Sequence, residues 1–389
     1  MSKSAKSLIV LVGKNFLWLL LITMCAISAS TAQTPHPVQG SLFASVYRNQ
    51  QHVFYRIPGG TIQDSWYDGA TGRWNVQTIN NGGHPAIGDP VASVYRNQQH
   101  VFYRVQGGVI QDSWYDGATG NWNLQQINKG GVTNGPAATG DPSPSVYNNQ
   151  QHVFYTSDAG VISDSWYDGA TGFWHSQQIN KGGVTAGDAT VGNPSASVYR
   201  NQQHVFYLTQ HGVIQDSWWD GATNHWNLQT INLSGVTNGP AAAGDPSPSV
   251  YNNQQHVFYT ADSGIISDSW YDGATGHWRS QQINLSGLTA GRAAMGNPVP
   301  SVYRNQQHVL YLVADGKIDD SWWDGPTNRW NLQQINKNGV TSGAAATSSP
   351  CASVYNIQQH VFYLIQNGII QDSWWDGATN HWNLQIIPQ

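Results

Sequence analysis

The sequence DSWYDGATGRW, Asp64–Trp74, recurs six more times with few changes along a chain of 389 residues. The later copies begin at Asp112, Asp164, Asp216, Asp268, Asp320 and Asp372. Measured between the Val-Tyr pairs that open each unit, the period is 48 residues once and 52 residues five times. A period of this size is typical of stacked blades or solenoid turns.

Each unit contains four short segments rich in Val, Ile, Tyr and Trp, without the 3.6-residue apolar period of a helix. In the first unit these segments are SVY (45–47), HVFY (52–55), IQDSWYD (62–68) and WNVQTIN (74–80). Three connections separate these segments: RNQQ, a glycine-containing turn and DGATG. Each of them is a turn signal. The sequence therefore predicts an all-β chain, a seven-bladed β-propeller of four-stranded antiparallel blades.

The first 32 residues read as an export signal. Lys3 and Lys6 precede an apolar run over 16–29, and Ser30-Thr31-Ala32 has the small-x-small pattern of a cleavage site. The predicted domains are a signal peptide over 1–32 and a propeller over 33–389, with repeats starting near 42, 90, 142, 194, 246, 298 and 350. We therefore expect the mature chain to be secreted or periplasmic.

Composition excludes several kinds of function. The mature chain has 14 basic and 22 acidic residues, a net charge near −8, which argues against a nucleic-acid surface. Its only cysteine is Cys351, so no internal disulfide is possible. One histidine per unit, His52 in the first, offers no local second ligand, so neither a metal nor another cofactor is expected.

Several repeated residues are assigned to the scaffold. Trp66 and its equivalents are expected to fill the core between blades, together with the segment 53–55. Asp64 is interpreted as an interior hydrogen-bonded carboxylate, Asp68 as the acceptor of a tight turn and His52 as a hydrogen-bonded structural histidine. A ligand-contact role for the two aspartates stays open, because recurrence within one chain cannot separate the two interpretations.

A candidate site lies at one end of each blade. Chain direction places the RNQQ and DGATG connections at the same end, so the segment 48–51 is expected beside Tyr67 and Trp74. A pyranose has an apolar face of C–H groups, which an aromatic ring can cover, and hydroxyls that need amide, carboxylate or guanidinium partners. This combination of side chains predicts a sugar site.

The predicted carbohydrate-binding residues form three sets. The polar set is Arg48, Arg96, Asn148, Arg200, Asn252, Arg304 and Asn356. The second aromatic of each DSW(Y/W)DG segment gives Tyr67, Tyr115, Tyr167, Trp219, Tyr271, Trp323 and Trp375. The closing tryptophans are Trp74, Trp122, Trp174, Trp226, Trp278, Trp330 and Trp382. Units three and five carry Asn148 and Asn252 where most others have arginine, and Ser176 and Ser280 where the rest have Leu or Val, while unit seven is mixed, with Asn356 but Leu384. Two kinds of cleft are therefore expected.

The repeated segments SVYRNQQHVFYR, IQDSWYDGATG and WNLQQIN resemble bacterial seven-bladed propeller lectins of the Photorhabdus type. This resemblance covers essentially the whole mature chain. The chain also resembles, more distantly, six-bladed fungal and bacterial fucose lectins. The resemblance implies calcium-independent binding of L-fucose and related or O-methylated sugars in shallow clefts between blades. It also implies a role in host interaction through fucosylated or O-methylated glycans.

Three functions are compatible with this pattern. The first is a multivalent lectin without catalysis, whose clefts act together on a glycan surface. The second is a glycoside hydrolase, which needs a unique pair of carboxylates about 5–10 Å apart. It is disfavoured because 14 of the 22 aspartates belong to the repeated pairs. The third is a propeller scaffold for protein–protein interaction, which nothing in the sequence excludes.

Overall fold

A computed structural model describes residues 37–389, so the predicted signal peptide lies outside the described part of the chain. Over this range the chain forms seven four-stranded sheets, each built from consecutive antiparallel strands. The predicted seven-bladed β-propeller is confirmed. Among the described residues, no helix has the length and apolar character needed to cross a membrane.

The first four blades contain strands β1 to β16. Blade 1 has β1 (Gln39–Tyr47), β2 (Gln50–Ile57), β3 (Thr61–Asp68) and β4 (Arg73–Thr78). Blade 2 has β5 (Val91–Tyr95), β6 (Gln98–Val105), β7 (Val109–Asp116) and β8 (Asn121–Gln126). Blade 3 has β9 (Ser143–Tyr147), β10 (Gln150–Ser157), β11 (Val161–Asp168) and β12 (Phe173–Gln178). Blade 4 has β13 (Ser195–Tyr199), β14 (Gln202–Leu208), β15 (Ile214–Asp220) and β16 (His225–Thr230).

The last three blades contain strands β17 to β28. Blade 5 has β17 (Ser247–Tyr251), β18 (Gln254–Thr260), β19 (Ile266–Asp272) and β20 (His277–Gln282). Blade 6 has β21 (Val299–Tyr303), β22 (Gln306–Val313), β23 (Lys317–Asp324) and β24 (Arg329–Gln334). Blade 7 has β25 (Cys351–Tyr355), β26 (Gln358–Leu364), β27 (Ile370–Asp376) and β28 (His381–Ile386).

Single 3₁₀ turns join the second and third strands in six blades. They span Gln106–Gly108, Asp158–Gly160, Gln210–Gly212, Asp262–Gly264, Ala314–Gly316 and Gln366–Gly368. In blades 2 to 6 the glycine that ends the turn lies against the backbone of the loop that leads to the next blade, and Gly368 of blade 7 lies against Pro37 and Val38. In blade 2, Gly108 has φ +74°, and a Cβ there would lie 2.6 Å from the Ala138 carbonyl oxygen. Only glycine fits that approach.

The ring closes by packing rather than by an exchanged strand. The first strand of each blade lies innermost and contacts the first strand of the next, and β1 contacts β25 in the same way. Each blade therefore uses four consecutive strands from one repeat. Unit one supplies the first strand of blade 1, and unit seven supplies the fourth strand of blade 7.

Specific bonds reinforce the contact between blades 7 and 1. Ser65 Oγ donates to the Pro388 carbonyl, and Gln51 Nε2 donates to Ser353 Oγ at 2.9 Å. In blades 3 to 7, the serine equivalent to Ser65 instead bonds a threonine of the preceding loop, as in Thr133 Oγ1 to Ser165 Oγ at 2.9 Å. The C-terminal segment thus replaces that inter-blade loop at the closure.

The core consists of seven similar clusters between blades. In the cluster between blades 1 and 2, Phe54 and Ile62 of blade 1 pack against Val101 and Tyr103 of blade 2, and all four are fully buried. Burial of side chains this large stabilises the fold by about 2–3 kcal/mol each. The predicted core segment 53–55 is therefore confirmed as buried on both faces of the blade.

The DGATG turns confirm the expected role of the first aspartate. Asp68 accepts from the Ala70 amide at 3.0 Å and from Thr71 Oγ1 at 2.9 Å. These bonds close the turn between the third and fourth strands. The turn residues of all seven blades lie at the same end as the RNQQ connections, because the Asn49 carbonyl accepts from the Gly69 amide at 3.0 Å and equivalent bonds recur around the ring.

Candidate functional site

Clefts between neighbouring blades open at the DGATG end of the ring. We number each cleft by the two blades that form it, so that cleft 6/7 lies between blades 6 and 7. Three of them, clefts 4/5, 5/6 and 6/7, enclose about 340, 320 and 380 Å³. These volumes lie at the small end of the range for small-molecule sites, roughly 300–1,000 Å³.

A row of three cross-strand neighbours crosses each blade, and its first two members line one wall of clefts 4/5, 5/6 and 6/7. In cleft 4/5 this row is His204 on β14, Trp218 on β15 and Asn227 on β16. The imidazole of His204 stacks on the Trp218 indole with ring centroids 6.1 Å apart and planes 12° apart. The side chain of Trp218 is only partly buried and lines the cleft.

The tryptophan of this row corrects a sequence-based expectation. Trp66 and its equivalents were expected to fill the inter-blade core, yet they are partly exposed, and Trp218, Trp270 and Trp322 line clefts. Strand alternation places the indole on the face toward the next blade. The indole lies so near the DGATG end, however, that the next blade does not cover it. The core below is filled instead by the phenylalanine, tyrosine and isoleucine of each unit.

A buried carboxylate fixes the histidine of each row. His204 Nδ1 lies 2.8 Å from Asp216 Oδ2, and the same oxygen accepts from Gln229 Nε2 at 3.0 Å. Asp216 is fully buried, as the sequence predicts for this aspartate. With the carboxylate as acceptor, the proton of this bond lies on Nδ1 of His204, and Nε2 is the ring nitrogen that faces away from Asp216.

The facing wall comes from the next blade and contains most of the predicted aromatic residues. In cleft 4/5 it consists of Gln255, Tyr271 and Trp278 of blade 5. Trp278 also packs against the core between blades 4 and 5, so that only part of its ring is exposed. Tyr199 of blade 4 meets Tyr271 edge to face, with centroids 6.1 Å apart.

The combination of residues within a cleft differs from the sequence-based expectation. Arg48 was expected beside Tyr67 and Trp74 of its own unit, but the structure places it beside Tyr115 of blade 2. Tyr67 instead contacts Tyr355 of blade 7, and Trp74 packs edge-on to Phe362 of the same blade. Each cleft thus takes its polar residue from one repeat and its aromatic pair from the next.

The arginines of the polar set are held by protein contacts. Arg48 lies over the Tyr47 ring at 5.2 Å from its centroid, and its Nη2 donates to the Gly117 carbonyl at 2.7 Å. Its Nε donates to Asn97 Oδ1 at 3.1 Å. A side chain on Gly117 would collide with Arg48 and Tyr47, which explains the glycine at this position.

The backbone at these polar positions is left-handed. Arg48, Arg96, Arg200 and Arg304 have φ between +44° and +54°. The asparagines of the other three blades have φ +46° at the same position. Asparagine tolerates this conformation, whereas arginine is strained in it by about 1 kcal/mol or more. The four arginines are therefore retained against their backbone preference by the contacts of the guanidinium.

The two kinds of cleft expected from the sequence are present. Clefts 1/2, 2/3, 4/5 and 6/7 contain an arginine, and clefts 3/4, 5/6 and 7/1 contain Asn148, Asn252 and Asn356. Cleft 6/7 differs again, because Ile357 replaces the asparagine that elsewhere accepts from arginine Nε. In the described part of the chain the guanidinium of Arg304 donates only to the Gly377 carbonyl, at 2.6 Å.

Unpartnered buried polar atoms face each other in the clefts. Within residues 37–389, Nε2 of all seven row histidines lacks a hydrogen-bond partner. The side-chain amide nitrogens of Gln255, Gln307 and Gln359 on the facing walls lack one as well. Each unpaired buried group costs about 1–3 kcal/mol unless something bonds it. The histidine Nε2 atoms and these glutamine amides therefore have bonding capacity left for solvent or a ligand.

Two ionisable groups at the rim of cleft 4/5 have pKa values shifted from their ordinary values. Hydrogen bonds from the Ala222 amide and from Thr223 hold the pKa of Asp220 below its ordinary value, so that it is ionised at neutral pH. Burial raises the pKa of Tyr199, although the neighbouring Arg200 opposes the effect, so the phenol keeps its proton. That proton is donated to the Asn253 carbonyl at 2.8 Å.

Four lining positions were not predicted as site residues. They are the row histidine, the row tryptophan, the buried glutamine of the facing wall and the glutamine that bonds the buried aspartate, for example Gln229. The available signal was the strict alternation of strand three, which puts Asp64 and Trp66 on one face. No group of three or more His, Cys or Asp side chains suited to a metal occurs among residues 37–389.

Comparisons with known proteins support the fold. No family model matches the sequence, and no curated protein matches it. Among solved structures, BP39L lectin from Burkholderia pseudomallei is similar with a TM-score of 0.66 and 20% identity, covering 90% of this chain and 98% of that one. An arginine-to-alanine variant of AofleA from Arthrobotrys oligospora has a TM-score of 0.53 and 12% identity, with coverages of 91% and 88%.

A third similar structure contains a bound sugar. A variant of Aleuria aurantia lectin in complex with alpha-methyl-L-fucoside has a TM-score of 0.50 and 14% identity, covering 91% of this chain and 97% of that one. At such identities the likeness concerns the fold. This chain therefore shares the propeller architecture of these lectins.

Proposed function

We propose that this protein is a multivalent carbohydrate-binding lectin that recognises L-fucose and related or O-methylated sugars in its inter-blade clefts, without catalysis. One observation carries the proposal. In cleft 6/7, the unpaired His308 Nε2 and the unpaired Gln359 amide lie in a cavity whose walls include Trp322, Trp375 and Trp382. A sugar hydroxyl donates to the first and accepts from the second.

The tryptophans of the two walls serve the rest of the sugar. The apolar face of a pyranose, or a methyl group on it, packs against an indole, where it loses contact with water. Trp322 lies on the blade 6 wall, while Trp375 and Trp382 lie on the blade 7 wall. The similarity to a propeller lectin crystallised with alpha-methyl-L-fucoside supports fucose as the sugar. The repeated sequence segments that resemble Photorhabdus-type lectins point the same way.

Carboxylate placement supports binding rather than hydrolysis. A glycosidase needs two carboxylates about 5–10 Å apart on either side of the scissile bond. Among the lining residues described for clefts 4/5, 5/6 and 6/7, the carboxylates are Asp220 in the first and Asp324 in the last, one each. The second repeated aspartate, such as Asp216, is fully buried and bonded to histidine and glutamine.

The ring makes weak individual sites useful. Up to seven clefts open at one end of a rigid ring, so a surface that displays many glycans can occupy several of them together. Linked binding of this kind raises avidity by about 10²- to 10⁴-fold. We also propose that the protein recognises host glycans and that a signal over residues 1–32 exports it. N-terminal sequencing of the exported protein tests the export step, with Gln33 expected as the first residue.

A glycan array followed by an agglutination assay tests the function. Binding to fucosylated glycans and agglutination that free L-fucose or its O-methyl derivatives inhibit are expected. Binding that no free sugar inhibits would contradict the lectin proposal and favour a protein-interaction scaffold. Turnover of an aryl glycoside would contradict the absence of catalysis.

A further inference from the structure

Cleft 5/6 differs from the other clefts in its charge. In five blades, the outermost residue of the wall row is an asparagine: Asn75, Asn123, Asn227, Asn331 and Asn383. In blade 5 it is Arg279, the cross-strand neighbour of Trp270. The row His256, Trp270, Arg279 thus ends in a guanidinium beside Trp270, which lines cleft 5/6.

The guanidinium of Arg279 is exposed, and its ion pair among the described residues is a long one with Asp272. Its side chain is 54% exposed, and the nearest carboxylate oxygen, Asp272 Oδ2, lies 3.9 Å from Nη2, beyond hydrogen-bond distance. Asp272 already accepts from the Ala274 amide and from Thr275 Oγ1, at 3.0 and 2.9 Å. Among the described residues, no hydrogen bond uses the five donors of Arg279. Arg48 differs, because protein acceptors hold its guanidinium.

The interior of cleft 5/6 also lacks negative charge. Clefts 4/5 and 6/7 are lined in part by Asp220 and Asp324, whereas the residues described as lining cleft 5/6 include no carboxylate. They also include no arginine, since Asn252 occupies the polar position. Clefts 4/5 and 6/7 do contain arginines, Arg200 and Arg304, but their guanidinium groups donate to protein carbonyls. Arg279 is the cation beside Trp270 whose hydrogen-bond donors are not used in this way.

From these observations we propose that cleft 5/6 prefers a saccharide that carries an anionic group, a sulfate ester or a carboxylate, with Arg279 as the residue that selects it. The inference rests on the proposed sugar binding at the clefts. The pyranose stacks on Trp270 and bonds His256 Nε2 and the Gln307 amide, and its anionic substituent points outward to the guanidinium. Planar guanidinium groups bind sulfate and carboxylate through two parallel hydrogen bonds.

The test compares neutral and anionic forms of one sugar, cleft by cleft. Crystals are soaked separately with methyl α-L-fucoside and with each of its three monosulfates, and the occupancy of every cleft is refined over a concentration series. At least one monosulfate is expected to fill cleft 5/6 at about three- to tenfold lower concentration than it fills clefts 4/5 and 6/7. Its sulfate is expected to lie within hydrogen-bond distance of Arg279.

Two substitutions make the test specific. Arg279→Asn, which installs the residue of five other blades, is expected to abolish the preference while neutral methyl α-L-fucoside still binds. The charge-matched control Arg329→Asn, at the start of β24, is expected to leave the preference intact. Conversely, Asn383→Arg places a guanidinium in blade 7, next to the asparagine cleft 7/1, and is expected to create a second anion-preferring cleft.

The outcomes separate the two proposals. If methyl α-L-fucoside occupies the clefts but no monosulfate prefers cleft 5/6, or if Arg279→Asn retains the preference, the inference about Arg279 is wrong and the lectin proposal stands. If neither the neutral nor any sulfated fucoside occupies a cleft, the lectin proposal for this sugar fails, and the inference fails with it. If the Arg279→Asn variant keeps the full preference of the parent protein, the cause of that preference is general charge attraction.

Discussion

Nδ1 of His204 lies 2.8 Å from Oδ2 of Asp216, under the surface of cleft 4/5, and equivalent pairs recur in all seven blades. The bond holds the imidazole parallel to the Trp218 indole and directs Nε2 away from the carboxylate. One buried carboxylate thereby orients both a ring nitrogen and the stacking surface of the cleft wall. Under the proposed function, the same residue serves blade stability and sugar binding.

Asp216→Asn tests that relationship. The amide cannot accept equally well from His204 and Gln229, so it no longer fixes the imidazole tautomer. We expect a loss of about 2 kcal/mol in the free energy of unfolding and a reduction of one in the number of sugar sites. Denaturant unfolding and calorimetric titration with methyl α-L-fucoside measure the two effects. A folded variant with the full number of sites would show that the pair serves stability alone.

Two of the three tryptophans of blade 4, Trp218 and Trp226, should differ in what they do. Trp218 is partly exposed on the wall of cleft 4/5, whereas Trp226 packs against the core between blades 3 and 4. Trp218→Ala is expected to weaken sugar binding in cleft 4/5 by roughly tenfold or more, with about 1 kcal/mol lost in stability. Trp226→Ala is expected to weaken cleft 3/4 and to cost about 2–3 kcal/mol.

Crystal soaks of both variants assign the effect to a cleft, and thermal unfolding measures stability. Trp218→Phe keeps an aromatic ring and serves as the conservative control, with most of the binding retained. Equal destabilisation by the two alanine variants would contradict the division of roles. It would restore the sequence-based interpretation of the DSW tryptophan as a core residue.

Two adjacent isoleucines test how the ring closes. Ile387 is 1% exposed in the cluster between blades 7 and 1, while its neighbour Ile386 is 61% exposed. Ile387→Ala is expected to lower the free energy of unfolding by about 2–4 kcal/mol, because it leaves a cavity at the closure. Ile386→Ala should change it by less than about 0.5 kcal/mol. Denaturant unfolding that ranks the pair in the opposite order would show that the C-terminal segment does not hold the closure.

A further prediction concerns pH. Desolvation raises the pKa of Asp245 above its ordinary value. The folded protein thus binds this proton more tightly than the unfolded chain, so the contribution to stability is present below the ordinary pKa and is lost as pH rises through the raised value. Asp245→Asn is expected to stabilise the protein at pH 7, with a gain that shrinks as the pH falls below about 4.

The site accepts asparagine, because Asn193 and Asn297 occupy the equivalent positions and Asn193 Oδ1 accepts from the Asp141 amide at 3.0 Å. Asp220→Asn is the control, because its effect on stability is expected to depend on pH in the opposite direction. Hydrogen bonds lower the pKa of Asp220, so its contribution is present above the ordinary pKa and is lost as pH falls. Unfolding midpoints measured from pH 3 to pH 8 distinguish the two. A pH-independent effect of Asp245→Asn would contradict the assignment.

Much of the architecture could be predicted because it depends on local chemistry repeated along the chain. Alternating apolar residues and the DGATG turn specify each hairpin within about 20 residues of sequence, and the period specifies the number of blades. The interior position of Asp64 and the turn role of Asp68 follow from the same local pattern. These predictions depend on neighbours that are close in sequence.

By itself, the sequence determined the seven blades, their four strands and the kinds of side chain that converge at one end. Only the tertiary structure decided that Arg48 meets Tyr115 rather than Tyr67, that the DSW tryptophan lines a cleft, and that the histidine presents Nε2 there. The physical reason is that a cleft forms where one face of a blade meets the opposite face of the next, between residues about 50 positions apart. Seven near-identical repeats leave that pairing ambiguous until the blades pack.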